Sequence, residues 1–323
     1  MTTSNRTRNL TLALVSIVVS AVVAVAIYEG VENVLYYQWR SSFEGTAWLG
    51  TVTVPSDNPV LMWEYRPDAQ HKRIRTNNFG LRGPDVSLQR DPSRLRVAFL
   101  GDSVTLGYGM EEKDIFIKVF ERALSRRTGR EIETLNFGVD GYSTLQIAEL
   151  LRAKVVKFKP DHVVYTMCLN DFDFTTSAGE KVLFFQKPTS FTLIKLEHLW
   201  RKLQGLDFHT HKFRQNRDRV FDELLSMKEQ AKRDGATFEL ALLPIFPVDV
   251  NSFSYYPHGD IHKEVEVFAK AQGILFTDFL KVFRNAGGPP RAYATDVWHL
   301  NEDGHSTIGR RFAATFDKRH DVH

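Results

Sequence analysis

From residue 94 onward, short apolar runs alternate with helical patterns, and this alternation limits the fold more than any other feature of the chain. Leu95 to Leu100 is an apolar run closed by Gly101, and Ile115 to Leu124 carries Ile115, Val119, Phe120 and Ala123 at helical spacing. Ile132 to Phe137 reads as a second strand, Leu145 to Phe158 as an amphipathic helix stopped by Pro160, and His162 to Met167 as a third strand. A long charged helix follows over Phe213 to Lys232, then a strand over Phe238 to Leu243 that ends at Pro244. Ile261 to Ala271 is helical, Ile274 to Thr277 is a short strand, and Asp303 to Phe316 closes the chain as a helix. Such a series predicts an α/β fold with a mostly parallel sheet covered by helices on both faces. Sites in such folds lie at the carboxyl ends of the strands.

One serine sits at such an end. Gly101-Asp102-Ser103 follows the first strand directly, with Thr105 and Gly107 continuing the turn. A serine hydroxyl is a weak nucleophile until a base lies within hydrogen-bond reach and a third group orients that base. Far downstream, Asp296 precedes His299 by three residues, just before the last helix. On one loop, Asp296 can accept the His299 Nδ1 proton and leave Nε2 free for the Ser103 hydroxyl.

With these residues in place, the chain resembles the SGNH (GDSL-type) hydrolases. Gly101 to Gly107 resembles the family's first block, Asn136 to Ser143 the second, Cys168 to Asp171 the third and Asp296 to His299 the last, in family order and at strand ends. The resemblance covers roughly residues 94–319. It implies a three-layer, flavodoxin-like α/β/α sandwich with five strands and a serine esterase needing no metal or cofactor. It also implies Ser103 as nucleophile, His299 as base and Asp296 as its partner, with oxyanion donors from the amides of Ser103 and Gly141 and the side chain of Asn170. One position departs from the pattern. The third block usually begins with glycine, and Cys168 stands there, which bears on the backbone path near Asn170.

Other polar residues near these blocks read as structural. Asp102 and Asp171 suit hydrogen bonds to loop backbone, and His305 begins a helix. His209, His211, His258 and His262 lack a carboxylate or cysteine cluster beside them, so no metal site is expected. The single cysteine rules out an internal disulfide. The net charge of +3, without a basic, aromatic-interleaved stretch, argues against nucleic acid as a partner.

The N-terminus points to a membrane. Leu10 to Ile27 carries no charge; as a helix it would span about 27 Å, close to a bilayer core. Arg6 and Arg8 precede the run and Glu29 and Glu32 follow it, which predicts a cytoplasmic tail over 1–9 and an anchor over 10–28. The catalytic domain would then be periplasmic or extracellular. A cleaved signal peptide is the second reading, since Ala24-Val25-Ala26 resembles a cleavage site. Residues 29–93 read as an aromatic extension packed on a main domain over 94–323, and 172–212 as a candidate lid. Three functions remain open: an ester hydrolase acting on an acylated small molecule or glycan, an O-acetyltransferase acting on a cell-surface or secreted polysaccharide with the same triad, and a catalytically idle envelope binding module.

Overall fold

A computed structural model of the chain describes residues 2–43, 52–174, 187–205 and 207–320. The chain forms two compact units, one from residues 1–46 with 187–207, the other from residues 47–186 with 208–323. In chain order the helices are α1 (Thr2–Phe43), α2 (Ser103–Leu106), α3 (Phe116–Thr128), α4 (Thr144–Ala153), α5 (Phe191–Leu203), α6 (Phe208–Arg233), α7 (Gly259–Ala271), α8 (Phe279–Ala286) and α9 (Glu302–His320).

The larger unit is organised by one sheet. Strands β5 (Leu95–Gly101), β6 (Ile132–Gly138), β7 (His162–Met167), β8 (Thr237–Leu242) and β9 (Leu275–Asp278) lie in the order β6-β5-β7-β8-β9, and each neighbouring pair is parallel. Two short antiparallel pairs precede them: β1 (Thr53–Pro55) with β2 (Trp63–Tyr65), and β3 (Gln70–His71) with β4 (Ile74–Arg75). Helices α3, α8 and α9 pack together on one side of the large sheet, and α4, α6 and α7 on the other. With both faces covered, all of β5 is buried, which is why it is apolar apart from Arg96, whose buried guanidinium pairs with Glu133. Phe99 of β5 meets Phe116 and Phe120 of α3 edge-on at 5.7 and 5.2 Å, and Phe120 meets Phe316 of α9 at 5.3 Å. Each such ring contributes about 1.5–3 kcal/mol by leaving water.

This is the three-layer, five-stranded architecture expected from the sequence, with each strand within one residue of its predicted limits. The differences lie in the helices. The expected helix over 145–158 breaks at Lys154, and Val155–Phe158 forms a separate 3-10 turn. Pro160 disfavours a helical Lys159, which instead adopts φ 49° and ψ 56°. Helix α8 was not expected because no loop announces it: Asp278, the last residue of β9, is also its N-cap and accepts the Leu280 amide.

In the smaller unit, α1 runs past the expected limit at residue 28 to Phe43, and it is long and apolar enough to cross a membrane. Helix α5 joins it through Glu29, whose carboxylate accepts from Ser190 Oγ and from the amides of Phe191 and Thr192. Of the segment 172–212 read as a lid, residues 175–186 and 206 lie outside the described residues; most of the remainder is α5 and the first turn of α6.

The part of the extension in the larger unit contributes a buried cation. Arg82 is 3% exposed and donates to the carbonyls of Leu106, Gly107, Arg73 and Met110. Two of these are carbonyls at the end of α2, so Arg82 ties the turn carrying Ser103 to the extension. Arg82→Ala would leave these buried carbonyls unpaired and should lower unfolding free energy by about 3 kcal/mol. Arg82→Lys should recover little of this, since an ammonium lacks the forked donors. Urea denaturation of both variants tests this, and a midpoint unchanged in Arg82→Ala would refute it.

Candidate active site

Ser103 lies at the carboxyl end of β5 and Asn170 just beyond that of β7, on either side of the point where strand order reverses, which is where open α/β sheets leave a crevice. The turn to Ser103 is tight. A Cβ on Gly101 would stand 2.0 Å from Thr105 Oγ1 and 2.7 Å from the Thr166 carbonyl oxygen, and one on Gly138 would stand 2.1 Å from the Leu106 nitrogen. Only glycine allows the two strand ends and α2 to meet so closely. Asp102 caps α2, its Oδ1 accepting the Val104 amide at 2.9 Å.

The loop after α8 brings in the other partners. Asp296 Oδ1 accepts the amides of Trp298 and His299, both at 2.8 Å, closing a local turn. Asp296 Oδ2 lies 2.8 Å from His299 Nδ1, and His299 Nε2 lies 3.0 Å from Ser103 Oγ. The Phe246 amide, beyond β8, donates to the Val297 carbonyl at 2.7 Å and fixes the loop to the sheet edge. Partial burial pushes the Asp296 carboxyl up, but hydrogen bonds from the His299 ring and the amides of His299 and Trp298 outweigh it and bring it below its ordinary value. This arrangement can carry a proton from a serine hydroxyl to an imidazole held in one tautomer.

The remaining expected residues, Gly141 and Asn170, lie beyond the carboxyl ends of β6 and β7, the two neighbours of β5. Gly141 adopts φ 79° in the turn between β6 and α4. Among the described residues, the amides of Ser103 and Gly141 have no hydrogen-bond acceptor. Asn170 Nδ2 donates to Asp102 Oδ2 at 2.9 Å, leaving a second amide hydrogen. Cys168 resolves the departure seen in the sequence: at φ −108° and ψ 163° its backbone is ordinary extended chain, so a side chain brings no strain. Its thiol points at Asp102 Oδ1, 3.7 Å away. Burial, with Asp102 and Asp171 nearby, pushes the thiol well above its ordinary pKa, so it is no nucleophile.

His305 is buried, accepts the Phe116 amide at 3.1 Å and is lowered to about 3, chiefly by burial and also by the Arg82 and His299 charges. It is a neutral packing residue, as its position in the sequence suggested. His262 bonds Asp278 at 2.8 Å, and the His209 and His258 rings meet edge-on at 5.3 Å.

Several residues of the site were not legible in the sequence. Tyr65 donates to the Asp140 carboxylate and Tyr142 to the Trp63 carbonyl, so the extension braces the turn holding Gly141. Tyr108 lays its ring on His299 at 5.1 Å. It also lines a cavity of about 460 Å³ with Tyr65, His71, Lys72, Ile74 and Asp140. The one available signal was that Tyr108 follows the first block and Asp140 sits in the second; the aromatics before residue 93 carried no period.

Asp171 is fully buried and its Oδ2 accepts from the Cys168 amide at 3.0 Å and Tyr165 Oη at 2.8 Å. Burial, and then the Asp102 charge, raise it well above the ordinary aspartate value. A raised carboxyl pKa means that the folded chain binds a proton the unfolded chain releases. Its stability contribution is therefore complete below about pH 4 and is lost as pH rises through the folded value. Asp171→Asn keeps the acceptor and removes the ionisation, so its stability should fall less than wild type between about pH 5 and pH 9. Urea unfolding across that range is the measurement; parallel curves for the two proteins would contradict it.

Comparison with known proteins gives the site a context. The family model described as GDSL-like lipase/acylhydrolase matches residues 99–306. No curated protein matches the chain. Solved structures similar to it include the psychrotrophic esterase EstA from a Pseudoalteromonas species, 13% identical over 70% of this chain and 99% of that one, with a TM-score of 0.45. A variant of the acetyl-xylooligosaccharide esterase Axe2 from a Geobacillus is 19% identical over 68% and 92%, with a TM-score of 0.46. A lipase from goat rumen metagenome is 17% identical over 68% and 96%, also with a TM-score of 0.46.

Proposed function

Because the chain belongs to the GDSL-like lipase/acylhydrolase family, we propose that this ester hydrolase removes an acetyl or other short acyl group through Ser103, His299 and Asp296. The observation that carries the reading is the unbroken hydrogen-bond chain from Asp296 through His299 to Ser103, at 2.8 and 3.0 Å. Ser103 Oγ attacks the ester carbonyl while His299 Nε2 takes its proton. The charge that develops on the carbonyl oxygen is received by the amides of Ser103 and Gly141 and by Asn170 Nδ2. Collapse of the intermediate releases the alcohol, protonated by His299. A water deprotonated by His299 then attacks the acyl-serine and frees the acid.

The cavity next to Tyr108 offers room for the rest of the ester. Its lining joins Val52, Tyr65, Ile74 and Tyr108 to His71, Lys72, Arg73 and Asp140 and is more apolar than polar, so apolar contact would hold the bound group and the few polar side chains would orient it. Water is the favoured acceptor, since the Asp296 side chain is 50% exposed and the site is not sealed among the described residues. The apolar run in α1, preceded by Arg8 and followed by Glu29, supports a retained anchor with the catalytic unit outside the cytoplasm.

Ser103→Ala should reduce p-nitrophenyl acetate turnover by about 10⁶-fold. Asn170→Ala should lower kcat by about 10²–10³ with KM little changed, because its donor acts mainly on the transition state. Full turnover in Ser103→Ala would sink the reading. p-Nitrophenol released only when a glycan hydroxyl is supplied, with the acetyl group recovered on the glycan and not as free acetate, would identify a transferase instead.

A further inference from the structure

Helix α5 has an apolar face that the described residues leave uncovered. Leu193, Leu196, Leu199, Trp200 and Leu203 are between 53% and 73% exposed. At roughly 100° per residue these five side chains fill an arc of about 120°, the width of one helix face. Lys195 and Lys202 lie together along one edge of that arc and are exposed. The opposite face is the covered one: Phe191 and Ile194 are partly buried, and the Phe191 ring lies 6.1 Å from that of Tyr36 on α1. A contiguous stripe of four leucines and a tryptophan in open water needs an occupant.

The position of α5 on α1 identifies one. The uncharged run of α1 ends at Ile27, and the first charge after it is Glu29. Glu29 is the residue that binds the start of α5, accepting the Phe191 amide at 3.1 Å and the Thr192 amide at 2.8 Å. Lys187, just before α5, lies 5.5 Å from the centre of the Tyr37 ring. If residues 10–27 fill the hydrocarbon, α5 starts where the chain meets the headgroups. An amphipathic helix with leucine and tryptophan on one face and lysine at its edge suits that layer, because the apolar face sinks to the acyl boundary while the ammonium groups reach lipid phosphates.

We infer that α5 lies in the surface of the membrane that α1 spans, with Leu193, Leu196, Leu199, Trp200 and Leu203 in the bilayer and Lys195 and Lys202 at the phosphates. This rests on the reading of α1 as a retained anchor. It gives the segment after β7 a second attachment to lipid, and the chain leaves it into α6 at Phe208. The partner is a phospholipid surface rather than a protein.

The test uses the full chain in vesicles of phosphatidylcholine with about one-fifth phosphatidylglycerol. Leu196→Cys, Leu203→Cys, Lys195→Cys and Val18→Cys are each labelled with an environment-sensitive fluorophore; buried Cys168 makes the unsubstituted chain the labelling control. Dyes at 196 and 203 should be quenched about twofold more by a lipid with its spin label near the headgroup than by one labelled deep in the chain. They should resist aqueous iodide, whereas the dye at 195 should be open to it and the dye at 18 should respond to the deep quencher. Iodide access at 196 and 203 with the dye at 18 still in the bilayer would overturn the inference and leave the anchor standing. Shielding of 196 and 203 from both lipid and iodide would mean that protein covers the stripe, which also overturns it. Iodide access at 18 would overturn the anchor and the inference together.

Discussion

The active-site region depends on how closely three pieces of backbone approach one another at the carboxyl edge of the sheet. Gly101 and Gly138 end adjacent strands, and neither has room for a side chain against α2. The Val139 amide donates to the Gly101 carbonyl at 3.0 Å, and Asn136 Oδ1 accepts the Gly138 amide at 2.9 Å. These contacts hold Ser103 and the Gly141 turn in fixed relation. Catalytic geometry tolerates errors of well under an ångström, so it is reasonable that backbone packing sets it. An alanine at either glycine would push α2 away from the sheet and move Ser103 relative to His299.

The second support comes from residues outside the repeating α/β pattern. Residues 52–86 form no layer of the sandwich, yet they reach the site from two directions. Arg82 gathers the carbonyls at the end of α2, and Trp63 and Tyr65 grip the turn between β6 and α4 through Tyr142 and Asp140. Gln146 adds a bond to the Leu61 carbonyl at 3.2 Å. The same segment then lines the cavity next to Tyr108. Scaffold and cavity wall are thus joined in one piece of chain, so changes in the hairpin β3–β4 can alter the cavity while Arg82 keeps the Ser103 turn in place.

How much of this was legible beforehand follows from what kind of signal each part leaves. The strands were readable because a sheet covered on both faces requires mainly apolar runs, and β5 to β9 are mainly apolar although Arg96, Glu133, Asn136 and Glu239 interrupt them. Ser103, Gly141, Asn170, Asp296 and His299 could be singled out because each stands in a short block, resembling the family's, at a strand end or on a loop before a helix. Arg82 and Tyr65 leave no such trace. All but one of their partners are carbonyls and a carboxylate more than twenty residues away, and an arginine with four backbone acceptors looks in sequence like any surface cation. The capping role of Asp278 was hidden for a different reason, since one residue ends a strand and begins a helix, leaving no turn to mark the boundary.

Cys168 shows how a departure from a family pattern can be absorbed, and even put to use. As a proposed oxyanion donor, Asn170 must present its NH2 rather than its carbonyl oxygen. Asp102 decides this, because an ionised carboxylate can only accept, and Nδ2 must therefore face it. The arrangement leaves Asn170 Oδ1 buried without a partner among the described residues, at a penalty of about 1–3 kcal/mol. A protonated Asp102 could donate to that oxygen and flip the amide, removing the donor. Burial pushes Asp102 in that direction, and its net shift is upward; the Asn170 side chain, the Val104 amide, the His299 charge and the Cys168 thiol all oppose it. A glycine at 168 would supply only backbone. The cysteine adds one more donor to the carboxylate, from a position where extended backbone accepts a side chain without strain. Neighbouring Asp171 contributes by its own raised pKa: when it carries a proton, it adds no second negative charge next to Asp102. The orientation of Asn170 is thus coupled to the charge of Asp102, and through Asp102 to that of Asp171.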